Sequence, residues 1–512
     1  MTITRQSMRE HLRLASKALS RASETRVTTR LQAVRQNLVD AAHKQLAIVR
    51  AAALQTFEGI GLPGLPAART DHDEETLRQA QFALAETWRT LAELEALRGD
   101  KSAGVAAYRQ ALAFEPDSVA AHAQLADLLE SSHALADAKT HAERALRADP
   151  NNAVAGLALA RVLLRQEKFA DAERAALAAA EAPRGLADNC ALAWALVGEA
   201  RDRRDDATGA FNAFTQANQI MRRRHGGGQE RHHPAHPTNV RYLTQLVERL
   251  RPQPAPVAFA TPAPAFLIGF PRSGTTLLEQ VLATHAGVVC LGETDHLFEA
   301  FSVVLKDGDL FDRVSALTAA EIETVRSAYL ELVRADAPAA QGKLIVDKHP
   351  LHITLLPLIN KIWPDAKIVL SLRDPRDVVL SCYQQCFGAN VATAQFWALE
   401  SAADYYDAVM GLMLTCRAKL KLDLHEIEYR DIVADLEREA HAMAAFLGLT
   451  FEPAMLRFNE AARARAISSA SARQVTEPIY DRSLGRWRRY ARELTPVLPL
   501  LDKWARRLGY EE

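Results

Sequence analysis

Residues 266–280 read Phe-Leu-Ile-Gly-Phe-Pro-Arg-Ser-Gly-Thr-Thr-Leu-Leu-Glu-Gln. An apolar strand runs into a glycine-bearing loop and then into an amphipathic helix. Such a loop is an anion site, because free backbone N–H groups and the positive end of the helix dipole face it. The phosphate-binding pattern G-x-x-x-x-G-K-[ST] is almost met. Gly269 and Gly274 hold its spacing and Thr276 fills its last place, but Thr275 stands where the lysine belongs. The positive charge comes earlier, at Arg272. The loop suits a phosphate-like group and not ordinary Mg-ATP chemistry.

From about residue 262 onward, helix-length segments alternate with apolar runs at 266–269, 288–291, 344–346, 367–372 and 422–429. Runs apolar on both faces predict a parallel sheet covered on both sides. Ligands of such sheets bind beyond the C-terminal strand ends. Polar residues stand at each of those ends: Arg272, Ser273, Gly274, Thr275 and Thr276; then Gly292 and Glu293; then Asp347, Lys348 and His349; then Arg373 to Arg376, with Ser381 further on; then Tyr429.

The region before is different in kind. Tyr108 to Pro116, Ala142 to Pro150 and Ala172 to Pro183 are copies of one pattern, with prolines at intervals of 34 and 33. Small alanines let paired helices approach, and this resembles the tetratricopeptide repeat. The resemblance implies an all-α solenoid over residues 80–222, its last unit degenerate, of a kind that binds proteins or peptides. Residues 1–79 read as an N-terminal helical region. Residues 223–261 read as a linker with one helix, its histidines a polar connector rather than a metal site. Residues 262–512 form the α/β domain.

A net charge of −1 over 512 residues gives no global drive toward nucleic acid or anionic membrane. The Arg486–Arg492 cluster lacks the aromatic platform of a nucleic-acid site. No run approaches the ~20 apolar residues of a membrane span, and no secretory signal opens the chain. Five scattered cysteines fit free thiols of a reducing, cytoplasmic compartment.

In order, P-R-S-G-T-T-L-L, G-E, D-K-x-P, R-D-P-R with a serine eight residues on, Q-V-x-x-P and G-R-W resemble the sulfotransferases that use 3′-phosphoadenylyl sulfate (PAPS), in particular the tyrosylprotein sulfotransferase-like branch. The resemblance covers about residues 262–490. It implies a P-loop-like α/β sulfotransferase domain in which residues 272–276 hold the 5′-phosphosulfate, while Arg373 and Ser381 hold the 3′-phosphate. Tyr429 would lie near the nucleotide, the 471–480 segment with Gln474 would cover the cofactor, and Arg486 would stand in for the family's lysine there. Lys348 would contact the bridging oxygen with Ser471 as its partner, and Glu293 would be the base, with His296 and His349 as runners-up. No metal is expected. Two departures stand out. Asp295 replaces an arginine that positions peptidyl tyrosine, and Gln385 replaces a further 3′-phosphate arginine. The acceptor hydroxyl stays open among protein, carbohydrate, lipid and small metabolite, and the repeats favour a protein or peptide by analogy. The competing readings are a phosphotransferase with an altered loop and a non-catalytic scaffold.

Overall fold

The computed structural model describes residues 44, 71–182, 185–226, 233–250, 263–304, 317–464, 471 and 474–510. Most of the N-terminal region before residue 71, the Pro252–Pro256 part of the linker and part of the histidine-bearing connector lie outside the described residues. Two compact units divide the chain at residues 1–206 and 207–512.

The first unit contains helices α1 (Asp71–Arg98), α2 (Lys101–Phe114), α3 (Val119–Ser131), α4 (Leu135–Ala148), α5 (Ala153–Arg165), α6 (Phe169–Ala180) and α7 (Ala187–Asp202). Consecutive helices pack, and α3 also packs on α5, as α5 does on α7. Alanine makes this possible: Ala107, Ala111, Ala138, Ala142, Ala145, Ala172 and Ala176 are all buried. At Gly104 and Gly156 the helices come closer still, since a Cβ there would meet Leu128 Cδ2 at 2.8 Å and Ala179 Cβ at 2.9 Å. The 34-residue period appears in the backbone. Gly99, His133 and Glu167 each follow a helix in the left-handed region, with φ of 89°, 64° and 58°. In each case the next N–H bonds to a carbonyl five residues back, which satisfies an orphan helix carbonyl.

The second unit is built on a five-stranded parallel sheet in the order β2-β3-β1-β4-β5. The strands are β1 (Ala265–Gly269), β2 (Val288–Cys290), β3 (Leu344–Lys348), β4 (Lys367–Leu372) and β5 (Asp423–Glu428). Its helices are α8 (Ala207–His225), α9 (Pro237–Arg249), α10 (Thr275–Ala283), α11 (His296–Ser302), α12 (Ala319–Asp336), α13 (Leu356–Ile362), α14 (Pro375–Gln384), α15 (Leu399–Lys419), α16 (Tyr429–Ala434), α17 (Leu436–Leu447), α18 (Phe458–Ala464), α19 (Ala491–Leu494) and α20 (Leu498–Arg507). Side chains alternate across the pleat. Phe266, Ile268, Ile368 and Leu370 enter one core with α9, α14 and α15. Ala265, Leu267, Val346 and Val369 enter the other with α10 and α17.

Two features differ from the sequence expectation. Strand β3 extends to Lys348, because Phe266, Leu267 and Ala265 of β1 pair in register with Asp347, Lys348 and Val346. Asp347 and Lys348 therefore lie in the strand rather than after it. Helices α8 and α9, read as repeat and linker, belong to the second unit. Ala210, Phe214, Val240, Leu243 and Val247 are part of its main core. Asn218 Nδ2 donates to the Tyr383 carbonyl at 2.8 Å, and the Phe211 and Tyr383 rings stack at 5.1 Å.

Candidate functional site

The loop after β1 is shaped by close approach. A Cβ on Gly269 would stand 2.5 Å from Ser273 Oγ and 2.7 Å from the Ser371 carbonyl, so only glycine fits. Gly274 caps α10 at φ +113°, where a Cβ would also press on the Tyr429 ring at 3.0 Å. Between them Arg272 has φ +73°, a conformation that costs a non-glycine residue about 1–3 kcal/mol. Ser371 Oγ donates to the Ser273 carbonyl at 2.9 Å and ties the loop to β4. Thr275 and Thr276, the first residues of α10, are buried.

The strained backbone turns Arg272 away from the loop. Its Nε donates to Ser381 Oγ at 3.0 Å, its Nη1 to Ser471 Oγ and its Nη2 to Gln474 Oε1 at 2.8 Å. Arg272 thus joins Ser381, Ser471 and Gln474 in one group, where the sequence reading set it with the 5′ loop. Ser471 meets Arg272 in this arrangement. Arg373 lies alongside. Its Nη1 donates to the Arg272 carbonyl at 3.1 Å and its Nη2 to the Ser483 carbonyl at 2.6 Å, and its guanidinium sits 4.9 Å from the Tyr429 ring centre. Arg486 opens a short 3₁₀ turn that buried Asp377 holds from below. The Asp377 carboxylate accepts from the Gly485 and Trp487 N–H groups, both at 2.8 Å. Residues 472 and 473 of the covering segment lie outside the described residues.

A second group forms at the end of β3. Lys348, only 1% exposed, donates from Nζ to Glu293 Oε1 at 2.7 Å. The same ammonium lies 3.2 Å from Glu279 Oε2 on α10. The cation and carboxylate read from the sequence are therefore in contact. Glu279, Ser371 and Asp377 are site residues that the sequence reading missed. The available signal for Glu279 was an acidic residue one turn after the anion loop, just behind the apolar pair Leu277 and Leu278.

Residues 264–453 match the Sulfotransferase family. The second unit carries a sulfotransferase family domain. An uncharacterized protein of Aquifex aeolicus (strain VF5) is 27% identical over 323 residues, 60% of this chain and 41% of that protein. A putative protein-tyrosine sulfotransferase of Caenorhabditis briggsae is 27% identical over 263 residues, 48% of this chain and 88% of that protein. The solved sulfotransferase domain from the curacin biosynthetic pathway aligns with 49% of this chain and 99% of its own length, at 20% identity and a TM-score of 0.35.

Behind Lys348 the sulfotransferase domain holds a buried polar network. Tyr329 OH donates to Asp347 Oδ2 at 2.9 Å, and His352 Nδ1 lies 3.4 Å from Asp347 Oδ1. The His349 and His352 rings stack at 4.6 Å. Burial pushes His349 down to about 4, so it is neutral at pH 7, and its Nδ1 is buried without a hydrogen-bond partner. His296 is buried on α11, with Nε2 3.1 Å from Asp336 Oδ2. Of the three candidate bases it is Glu293 whose hydrogen bond to Lys348 the structure records.

Burial also pushes Asp347 up to about 7, against the opposing pull of Tyr329 and Lys348. The folded state then holds a proton that the unfolded state has released, so stability falls as pH rises from about 4 to about 7. Asp347→Asn keeps an acceptor for Tyr329 and removes that penalty. Thermal melts should show the variant gaining stability at pH 8 but not at pH 4. An equal change at both pH values would refute the linkage.

Among the described residues no group of three or more His, Cys, Asp or Glu comes together to hold a metal ion, and no helix is long and apolar enough to cross a membrane.

Proposed function

We propose that the protein moves a sulfuryl group from PAPS to an acceptor hydroxyl. The observation that carries this reading is the Lys348–Glu293 contact of 2.7 Å beside a lysine-free anion loop. It puts a cation for a leaving oxygen and a base for an incoming hydroxyl within one hydrogen bond of each other.

The residues present suit such a donor. Ser273 Oγ and Arg373 Nε are buried without hydrogen-bond partners, an expensive state that an anion would relieve. The α10 N-terminus with Ser273, Thr275 and Thr276 would hold the 5′-phosphosulfate. Arg272, Arg373, Ser381 and Arg486 would hold the 3′-phosphate, with Tyr429 against the nucleotide and Ser471 and Gln474 closing over it.

In the transfer the bond between sulfur and the bridging phosphate oxygen breaks, and a bond from sulfur to the acceptor oxygen forms. Lys348 stabilises the charge left on the bridging oxygen. Glu293 takes the acceptor proton, and its 35% exposure leaves it open to one. The products are adenosine 3′,5′-bisphosphate and a sulfate ester. Glu293 is masked by Lys348 until the donor draws the ammonium away.

The 34-residue helical hairpins support a tetratricopeptide-like module and, through it, a protein or peptide acceptor. The five free cysteines support a reducing, cytoplasmic setting.

Calorimetry with adenosine 3′,5′-bisphosphate tests the reading. Binding is expected without Mg²⁺, and Arg373→Ala should weaken it by roughly tenfold to a hundredfold, the worth of a hydrogen bond to a charged group. A Mg²⁺ requirement together with preference for ATP would replace this reading with a phosphotransferase.

A further inference from the structure

Lys348 is held by two carboxylates of different character. Glu293 lies in the loop after β2 and is about one-third exposed. Glu279 is 6% exposed and projects from α10, the helix whose N-terminus forms the anion loop. Its partners are Lys348 and the buried Gln280 side chain. Gly292, at φ +72°, folds the Glu293 loop over it, so that a Cβ there would stand 3.8 Å from Glu279 Oε1.

The backbone of Lys348 is pinned opposite Leu267 of β1, but its ammonium rides on a flexible four-carbon stem. Once Glu293 turns to an acceptor proton, Glu279 is the carboxylate still holding that ammonium. We propose that Glu279 is a positioning residue for the transfer step, keeping the Lys348 ammonium charged and fixed to the helix that carries the anion loop after Glu293 lets go. This rests on the sulfotransferase reading above. The other ionisable groups around the ammonium are Asp347 in β3 and His349 just after it. Glu279 itself is pushed up by burial and drawn back by Lys348.

Removing a carboxylate from beside a buried ammonium makes the ammonium easier to deprotonate. The experiment is calorimetry of PAPS binding to the full chain from pH 6.5 to about 9.5, on wild type, Glu279→Gln, Glu279→Asp and Lys348→Ala. Glu279→Gln is expected to match wild type within about threefold at pH 6.5. Its affinity should fall at a lower pH than that of wild type. Glu279→Asp should restore most of the difference, and Lys348→Ala should show no such loss. A thermal melt of each variant checks folding, and the aspartate variant carries the test if glutamine unfolds the domain. Coincident pH profiles for wild type and Glu279→Gln overturn the role of Glu279 and leave the sulfotransferase reading standing. Failure of wild type to bind PAPS or adenosine 3′,5′-bisphosphate overturns both.

Discussion

Lys348→Ala is expected to lower sulfate transfer roughly a hundredfold to a thousandfold, the usual effect of deleting one group that stabilises transition-state charge. It should also destabilise the sulfotransferase domain by about 3–5 kcal/mol, because removing one partner of a buried ion pair strands the other. The stranded group is Glu279, whose buried carboxylate keeps Gln280 beside it. Affinity for adenosine 3′,5′-bisphosphate should also fall, since the former bridging oxygen that Lys348 faces stays on that product as a charged phosphate oxygen. Three measurements separate these effects: transfer of labelled sulfate to the acceptor found by screening, urea melts and product calorimetry. Unimpaired transfer would remove Lys348 from the chemistry. A stability change under about 1 kcal/mol would show that the ion pair is not buried in solution.

The second large effect lies outside the transfer chemistry. Arg376 is 1% exposed. It forks onto Asp374, with Nε donating to Oδ1 at 3.0 Å and Nη2 to Oδ2 at 2.9 Å. Its Nη1 reaches Asp502 of α20 at 3.1 Å, and the guanidinium lies 4.1 Å from the Trp487 ring centre. One side chain thus ties the start of α14 to the C-terminal helix and to the turn that carries Arg486. Arg376→Ala would leave the buried Asp374 carboxylate with the backbone N–H of residue 376 but without its guanidinium, at a cost of about 3–5 kcal/mol or roughly 10 °C in melting temperature. Arg376→Lys should recover little, since lysine cannot reproduce a planar fork or the stacking. A melt within about 2 °C of wild type for either variant would contradict this account.

Much of this was legible in the sequence, for physical reasons that differ from residue to residue. The five strands could be read because a parallel sheet covered on both faces needs unbroken apolar runs. The loop after β1 could be read because Gly269 and Gly274 stand where nothing larger fits. Lys348 and Glu293 could each be named through the family resemblance, but Lys348 was paired there with Ser471; the structure puts Lys348 against Glu293 and Ser471 against Arg272. The true start of the second unit could not be read. Helix α8 has alanines at 210, 213 and 217, and small residues at helical spacing suit a repeat partner or the Tyr383 face equally well. The direction of Arg272 was also hidden. Its guanidinium could serve either phosphate until the left-handed backbone at that residue sends it to Ser381. Glu279 was hidden in plain view, because a carboxylate on a helix reads as surface until its helix is known to be buried. The left-handed turns at His133 and Glu167 leave no mark in composition, since neither residue is glycine.

The strand order has a consequence for synthesis. Strand β1 lies at the centre of the sheet, but its neighbours β3 and β4 come later in the chain. Arg272 finds its partners 109, 199 and 202 residues downstream. At a ribosomal pace of about 5–20 residues per second, the last of them follows Arg272 by on the order of ten to forty seconds. During that interval the nascent chain carries an anion loop with no cover and an arginine with nothing to grip. The group around Arg272 is therefore assembled only after residue 474 has been made.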